Sequence, residues 1–186
     1  LAMRRRRAHT ATLVLVAHAS RLAGDTSAAV RTSADALTVW ERIVGPNHPG
    51  TLEAVDVLAS ARLQAGERDG VPALLARLCA ADGSADPVRR AYHLVRLAEL
   101  TARKDKAAAR ANVQEAMKLP CWDSDEGLSV NQRTRLADTA AYAARAYRLM
   151  GDDAAGQMTL LKARSIAMRL DESGGLLPRI EKLAAP

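Results

Sequence analysis

At 186 residues the chain is long enough to bury a full core, and its charged fraction of 26% excludes a disordered tail as the dominant character. Alanine makes up roughly a fifth of the chain, aromatics are 3% and phenylalanine is absent, which argues against a β-sandwich or barrel and for closely packed helices. The net charge is +6, but Arg4, Arg5, Arg6 and Arg7 supply four of it, so the basicity is mostly a short terminal run.

In chain order, that run comes first. It precedes the apolar stretch Leu13 to Ala17 in a layout that mimics a signal peptide. The apolar part is short and follows His9, Thr10 and Thr12, so residues 1–8 read as a basic arm or linker ahead of a helix. Leu1 in place of methionine fits a segment of a larger protein. No stretch reaches the ~18 apolar residues of a membrane span, and a cytoplasmic protein is expected.

A local pattern then recurs. An amphipathic helix ends in glycine, an acidic residue follows, and a second helix begins: Gly24-Asp25, Gly66-Glu67 and Gly151-Asp152. Glycine takes the left-handed conformation that stops the first helix. The carboxylate can then accept from the unpaired amides of the second. The flanks repeat too. Leu13, Val16 and Ala17 precede Gly24; Val55, Leu58 and Ala59 precede Gly66; Ala140, Ala143 and Ala144 precede Gly151. Each trio makes one helical stripe. Five and twelve residues after the turn come Ala29 and Ala36, Val71 and Leu78, and Gly156 and Ala163, positions expected to face the preceding helix. A further unit joins at Lys104-Asp105, with Ala109 and Ala116 at the same offsets. The turn centres are thus 24, 66, 104 and 151.

Other signals fix boundaries. Asp86-Pro87 reads as an N-cap and first helical position. Pro72 fits the first turn of a helix starting near Asp69, and Pro120 closes the helix containing Met117. Cys121 to Leu128 is an insertion, and Ser129-x-x-Gln132 is a capping box. Gly174-Gly175 stops the eighth helix. The expected units are 9–45, 48–82, 86–119 and 129–171, together a repeat domain over 9–172, with residues 173–186 as a cap.

This pattern resembles the tetratricopeptide repeat (TPR), a helix-turn-helix unit of about 34 residues. The linker Val44-Gly45-Pro46-Asn47-His48-Pro49-Gly50-Thr51-Leu52 looks like the junction of the kinesin-light-chain type of repeat. The resemblance covers about residues 10–171. It implies an all-α fold, an α-solenoid of about four antiparallel helix pairs in a right-handed superhelix with a short C-terminal capping helix. It also implies a non-enzymatic scaffold that binds a peptide or protein segment in a concave groove lined by the first helix of each pair. Carried onto this chain, the lining residues are His18 and Arg21, then Asp56, Ser60 and Gln64, then Asp138, Arg145 and Arg148, with Glu99 or Ala98 from the third pair. Arg145 and Arg148 are neighbours on one face. They suit a bidentate clamp on a carboxylate or phosphate, or else pair with Asp138, Asp152 or Asp153.

Chemistry beyond a surface is not apparent. There is no P-loop, dinucleotide fingerprint or nucleophile elbow, and His9, His18, His48 and His93 have no metal-ligand spacing. No catalytic residue, metal site or cofactor is expected. His48 is read as shaping the inter-repeat turn, Asp123, Asp125 and Glu126 as a solvated acidic loop, Trp40 as core, and Trp122 as core or partner contact. Cys79 and Cys121 form no C-x-x-C motif and read as free thiols. The leading expectation is a protein or peptide partner for a module of a larger bacterial regulatory protein. Nucleic-acid or anionic-surface binding through Arg4 to Arg7 with Arg89, Arg90 and Arg96 is the alternative, weakened by the shortage of stacking aromatics. A homodimer burying the Leu13 to Val16 stripe is a further expectation.

Overall fold

The computed structural model describes residues 2–81, 86–123, 126–170 and 175–185. Among them lie nine α-helices, one 3-10 turn and no strand. The chain divides into two units, Leu1–Ala81 and Asp82–Pro186. The first holds α1 (Ala2–Leu22), α2 (Thr26–Val44), α3 (Pro49–Gln64) and α4 (Val71–Ala81). The second holds α5 (Pro87–Thr101), α6 (Lys106–Met117), the 3-10 turn Pro120–Trp122, α7 (Val130–Met150), α8 (Asp153–Leu170) and α9 (Leu176–Ala184). The side chains of Arg4 to Arg7, Asp125 of the acidic insertion and the Gly174 stop lie outside the described residues. Residues 2–8, read from sequence as an arm, continue into α1 as helix. Arginine, methionine and alanine all favour the helix, and no breaker stands before Gly24.

Turn chemistry explains the pairing. At Gly24, Gly66 and Gly151 φ lies between 80° and 85°. At each, the glycine N–H donates to the carbonyl three residues back and the next N–H to the one five back, as in Asp25 to Ser20 at 2.9 Å. This is the Schellman stop. Asp25 then caps α2 by accepting from Ala28 N–H at 2.9 Å, and Asp152 caps α8 from Ala155 N–H at 3.1 Å. The third turn has no glycine, and among the described residues no other type has positive φ. There both Lys104 and Asp105 N–H donate to Thr101 C=O, and Asp105 still caps α6 through Ala108 N–H. The second turn is longer than the others, with the next helix starting two residues past the expected Asp69. Glu67 does not cap the next helix; the chain passes a second left-handed glycine, Gly70, and α4 starts only at Val71. Positions five and twelve after each turn are buried in all four pairs, whether filled by Ala29 and Ala36, Val71 and Leu78, Ala109 and Ala116, or Gly156 and Ala163.

In the first unit, Val14, Ala17, Ala36, Trp40, Ala54 and Val57 form a core flanked by Leu13, Leu37 and Val44. The inward stripe of α1 is therefore Thr10, Val14 and Ala17, whereas Val16, expected inward, is exposed. The α2–α3 junction is a packed structure. The His48 ring stacks on Trp40 with centroids 5.5 Å apart, and its Nδ1 accepts from Gly50 N–H at 3.1 Å to cap α3. Thr51 Oγ1 donates to Gly45 C=O at 2.7 Å. Arg77 of α4 ties back to Glu41 and to Pro46 C=O at 2.6 and 2.7 Å. In the second unit, α7 carries the core almost entirely on alanine, with Ala137, Ala140, Ala141, Ala143, Ala144 and Ala146 fully buried. Cys121 is buried too, and that burial pushes its thiol up to about 11, so it is an unreactive free thiol.

A Cβ on Gly50 would lie 2.8 to 3.0 Å from three atoms of the Trp40 indole, a rigid ring with nowhere to move. Gly50→Ala should therefore cost about 1–3 kcal/mol in urea unfolding and perturb the Trp40 emission, typical of overpacking. An unchanged midpoint and spectrum would show that the junction is looser than its contacts indicate.

Candidate functional site

Two faces, one per unit, carry the residues read from the sequence as a groove lining. In the first unit the face is built by α1 and α3. Asp56, Ser60 and Gln64 lie at successive four-residue steps and so share one stripe of α3. Gln64 Nε2 donates to Arg21 C=O at 3.1 Å, joining the ends of α3 and α1. Arg21 reaches the His18 ring nitrogen at 3.4 Å. The structure thus brings His18, Arg21 and Gln64 together. Ser60 and Asp56, both half-buried, sit one and two turns earlier on α3, and Asp56 is already engaged by the protein.

The second unit holds a denser arrangement between α5 and α7. The Arg96 guanidinium lies 3.8 Å from the centroid of the Tyr142 ring and 2.9 Å from Glu99. Glu99, 1% exposed in its side chain, meets Arg145 on its other oxygen at 3.5 Å. Tyr92 contacts Tyr142 edge-on at 6.3 Å, and Arg135 stands 5.6 Å over Tyr92. Asp138, which is buried, pairs with Arg179 of α9. Burial pushes the Asp138 carboxyl above its usual range, opposed by Arg179 and, more weakly, by Arg135 and Arg96. Four arginines here surround two carboxylates.

Arg145 and Arg148 do not form a pair. Arg145 turns to Glu99. Arg148 runs across Gly156 of α8 and donates to Ala184 C=O at the end of α9 at 2.9 Å, and to Gln157 at 3.4 Å. Neither takes Asp138, Asp152 or Asp153, because Asp138 is held by Arg179 and Asp152 by Arg110 at 2.7 Å. For the third pair, Glu99 is the facing residue, while Ala98 is fully buried in the core. Arg96, read from sequence as part of a basic patch, is 7% exposed and ion-paired, and Arg90 is bonded to Glu115 at 2.6 Å.

Sequence reasoning missed Tyr92, Tyr142, Arg135 and Arg179. A signal for the first two was present. Tyr92, Arg96 and Glu99 repeat the spacing of Asp138, Tyr142 and Arg145. The meeting pairs Arg96–Tyr142 and Glu99–Arg145 are each 46 apart in sequence, yet the turn centres 104 and 151 differ by 47. Lining positions counted back from a turn without its left-handed glycine therefore fall one residue off. Among the described residues no cluster of His, Cys, Asp or Glu is able to hold a metal. None of the helices described is long and apolar enough to cross a membrane.

Removing Arg96 would leave the buried Glu99 carboxylate with only its longer contact to Arg145. Arg96→Ala should cost about 3–5 kcal/mol, and Arg145→Ala, at a longer and partly exposed contact, about 1 kcal/mol or less. Adding Glu99→Gln to Arg96→Ala should recover part of the loss, and equal costs for the two single variants would refute this ranking. The raised Asp138 pKa has a definite sign. The folded state binds that proton more readily, so wild type should gain stability over Asp138→Asn as pH falls through the elevated pKa toward the ordinary carboxylate value near 3.8. Unfolding titrations of both proteins at several pH values check this; a difference that stays constant, or falls with acid, would contradict it.

No family model matches the sequence, and no curated protein matches it. Solved structures do. A crystal structure of the nearly identical TPR-like repeats of a Podosopora anserina kinesin light chain protein aligns with TM-score 0.53 at 16% identity, covering 89% of this chain and 98% of that one. A variant of the same protein aligns with TM-score 0.55 at 16% identity, covering 94% of each. The polypeptide is accordingly an all-α solenoid with the TPR-like repeat fold.

Proposed function

We propose that this chain is a non-enzymatic scaffold that binds a peptide or partner segment on its first-helix faces. TPR-like folds in general mediate protein–protein interaction, and the chain's likeness to such repeats supports the class. The observation that carries the finer reading is the α5–α7 face. Its charged groups meet one another or a tyrosine ring, Arg96 Nε, Glu99 Oε2, Asp138 Oδ1 and Arg145 Nε are left without a hydrogen bond among the described residues, and four arginines outnumber two carboxylates there. The occupant this favours is an extended segment carrying acidic residues, with the exposed Arg135 and Arg179 and the part-buried Arg145 as cations and Tyr92 and Tyr142 as the flat apolar contacts. On the other unit, His18, Arg21, Asp56, Ser60 and Gln64 would offer a second, more neutral polar face. Asp138 would position Arg179, and Arg148 would act by holding α9. The setting proposed is a cytoplasmic module of a larger bacterial regulatory protein.

A pool of acidic twelve-residue peptides, tested by fluorescence anisotropy against basic and neutral pools, decides the reading. Wild type should select acidic members, and Arg135→Gln/Arg145→Gln should weaken them about tenfold while leaving the helical spectrum intact. Indifference to peptide charge, or to the double substitution, would remove the α5–α7 face from the proposal. Arg148 is left alone because its loss would release α9. Self-association through α1 is a second reading, carried by the exposure of Leu15, Val16 and Leu22. Sedimentation across a concentration series should then show a dimer that Leu15→Glu abolishes; a monomer throughout would end it.

A further inference from the structure

The α5–α7 face is completed by a residue from α9, Arg179, and the two ends of its ion pair stand in different surroundings. The Arg179 side chain is 55% exposed and that of Asp138 is 12% exposed. Asp138 Oδ2 accepts from Arg179 Nη2. Its other oxygen, Oδ1, is sealed from solvent with no hydrogen-bond partner among the described residues. The charge of this carboxylate therefore leans on one contact. Arg179 is placed the other way. A guanidinium has five N–H donors in a flat fork, so an arginine that meets Asp138 through Nη2 and stands half in solvent has an edge left for a second acceptor.

Three helices supply the charges that act on Asp138. Burial is the largest influence on its carboxyl and pushes it above the usual range. Against burial act Arg179 of α9 first, then Arg135 of α7 itself, then Arg96 of α5. Arg96 is engaged by Glu99 and lies on the Tyr142 ring, and Arg135 stands over Tyr92. Glu99 and the Tyr142 hydroxyl belong to the same cluster. Lys162 and Arg169 of α8 stand near Leu136, two residues from Asp138 and so on another side of α7. Arg110 of α6 is drawn to Asp152 and Tyr147. Arg179 is thus the principal counter-ion of Asp138, and it is also the one that a ligand reaches from solvent.

We infer that an acidic segment bound on the α5–α7 face takes Arg179 as a shared partner, and that Asp138 picks up a proton from solvent in the complex. The inference rests on the reading of that face as a site for acidic segments. A ligand carboxylate becomes the nearer counter-ion of Arg179. Asp138, left in a buried site with less positive charge beside it, becomes a neutral carboxylic acid. Binding and protonation are then linked, each favouring the other. The face holds its partner more tightly as pH falls, and Asp138 is the group that senses the change.

The probe is a labelled peptide of about twelve residues with blocked termini, its acidic residues replaced by cysteic acid. A sulfonate stays ionised throughout, so only the protein titrates. Fluorescence anisotropy is read with the full chain from about pH 7 to about pH 4.5 at constant ionic strength, with the helical spectrum checked at each pH. Wild-type affinity should rise about threefold to tenfold over that range, and calorimetry in two buffers of unlike ionisation enthalpy should show net proton uptake. Asp138→Asn keeps the shape and an acceptor for Arg179 but cannot take the proton. It should bind at neutral pH about as tightly as wild type does in acid, with neither the rise nor the uptake. The histidines are common to both proteins, so the difference between them isolates Asp138. Binding at neutral pH with a wild-type slope no steeper than that of Asp138→Asn would overturn the inference and leave the face standing. No binding at any pH would remove both.

Discussion

The second unit depends on how closely helices can approach α7. That helix is contacted by α5, α6, α8 and α9, and it meets the crowding with alanine on nearly every side. On α8 the matching positions are Gly156 and Ala163, and even a methyl group on Gly156 would sit 3.1 Å from Ala144 C=O. Close approach has a cost in apolar burial. An alanine methyl contributes about 0.8 kcal/mol where a leucine gives about two to three times that. Such a core has little surplus with which to tolerate unsatisfied charge. This accounts for the care taken over Glu99, which is almost fully buried yet held by Arg96 and Arg145 at once. Small side chains bring α5 and α7 together, and that proximity turns separate charges into one interlocked face.

Much of this was legible in the sequence because it is local. Glycine followed by aspartate fixes a stop and a start within six residues, and both depend only on backbone amides nearby. The offsets of five and twelve follow from those turns. The same logic located the third turn without its glycine, since Asp105 still caps. It failed where burial is decided by distant elements. On α1 the residues Leu13, Val14, Leu15 and Val16 are apolar all round, so periodicity cannot choose a face; packing against α2 and α3 selects Thr10, Val14 and Ala17. At Gly66-Glu67 the signal marked the stop, while Pro72 set the next start near Asp69, two residues ahead of Val71. Bulky Val71 and Leu78 stand where the other pairs have alanine or glycine, and α4 begins later.

The candidate site shows the same division. Spacing placed Arg145 and Arg148 on one helical face, which they share. It could not say where two long side chains end. Arg148 reaches the end of α9 because Gly156 leaves a channel beneath it, a fact that belongs to three helices at once. The α5–α7 contact was recoverable in part, since Tyr92, Arg96 and Glu99 repeat the spacing of Asp138, Tyr142 and Arg145. What hid it was the turn at Lys104, which shifts the count by one.

Arginine deserves to be read by its partners rather than by its number. Three arginines hold α9: Arg148 on its last carbonyl, Arg164 on Glu181 and Arg179 reaching out to Asp138. Arg77 closes the α2–α3 junction, Arg90 binds Glu115 and Arg110 binds Asp152. A guanidinium suits these tasks because its fixed fork satisfies carbonyl and carboxylate acceptors without losing its charge. The arginines named here are thus engaged within their own unit rather than gathered into a basic patch. Arg135 differs in facing outward with apolar surface beside it. On the α5–α7 face that apolar surface is tyrosine, rigid and flat. On α8 the exposed apolar surface is Met158, Leu161 and Met168, which is deformable. The two faces therefore differ in stiffness: a flat, rigid surface favours a segment that arrives already extended, whereas a deformable one can repack around what it meets.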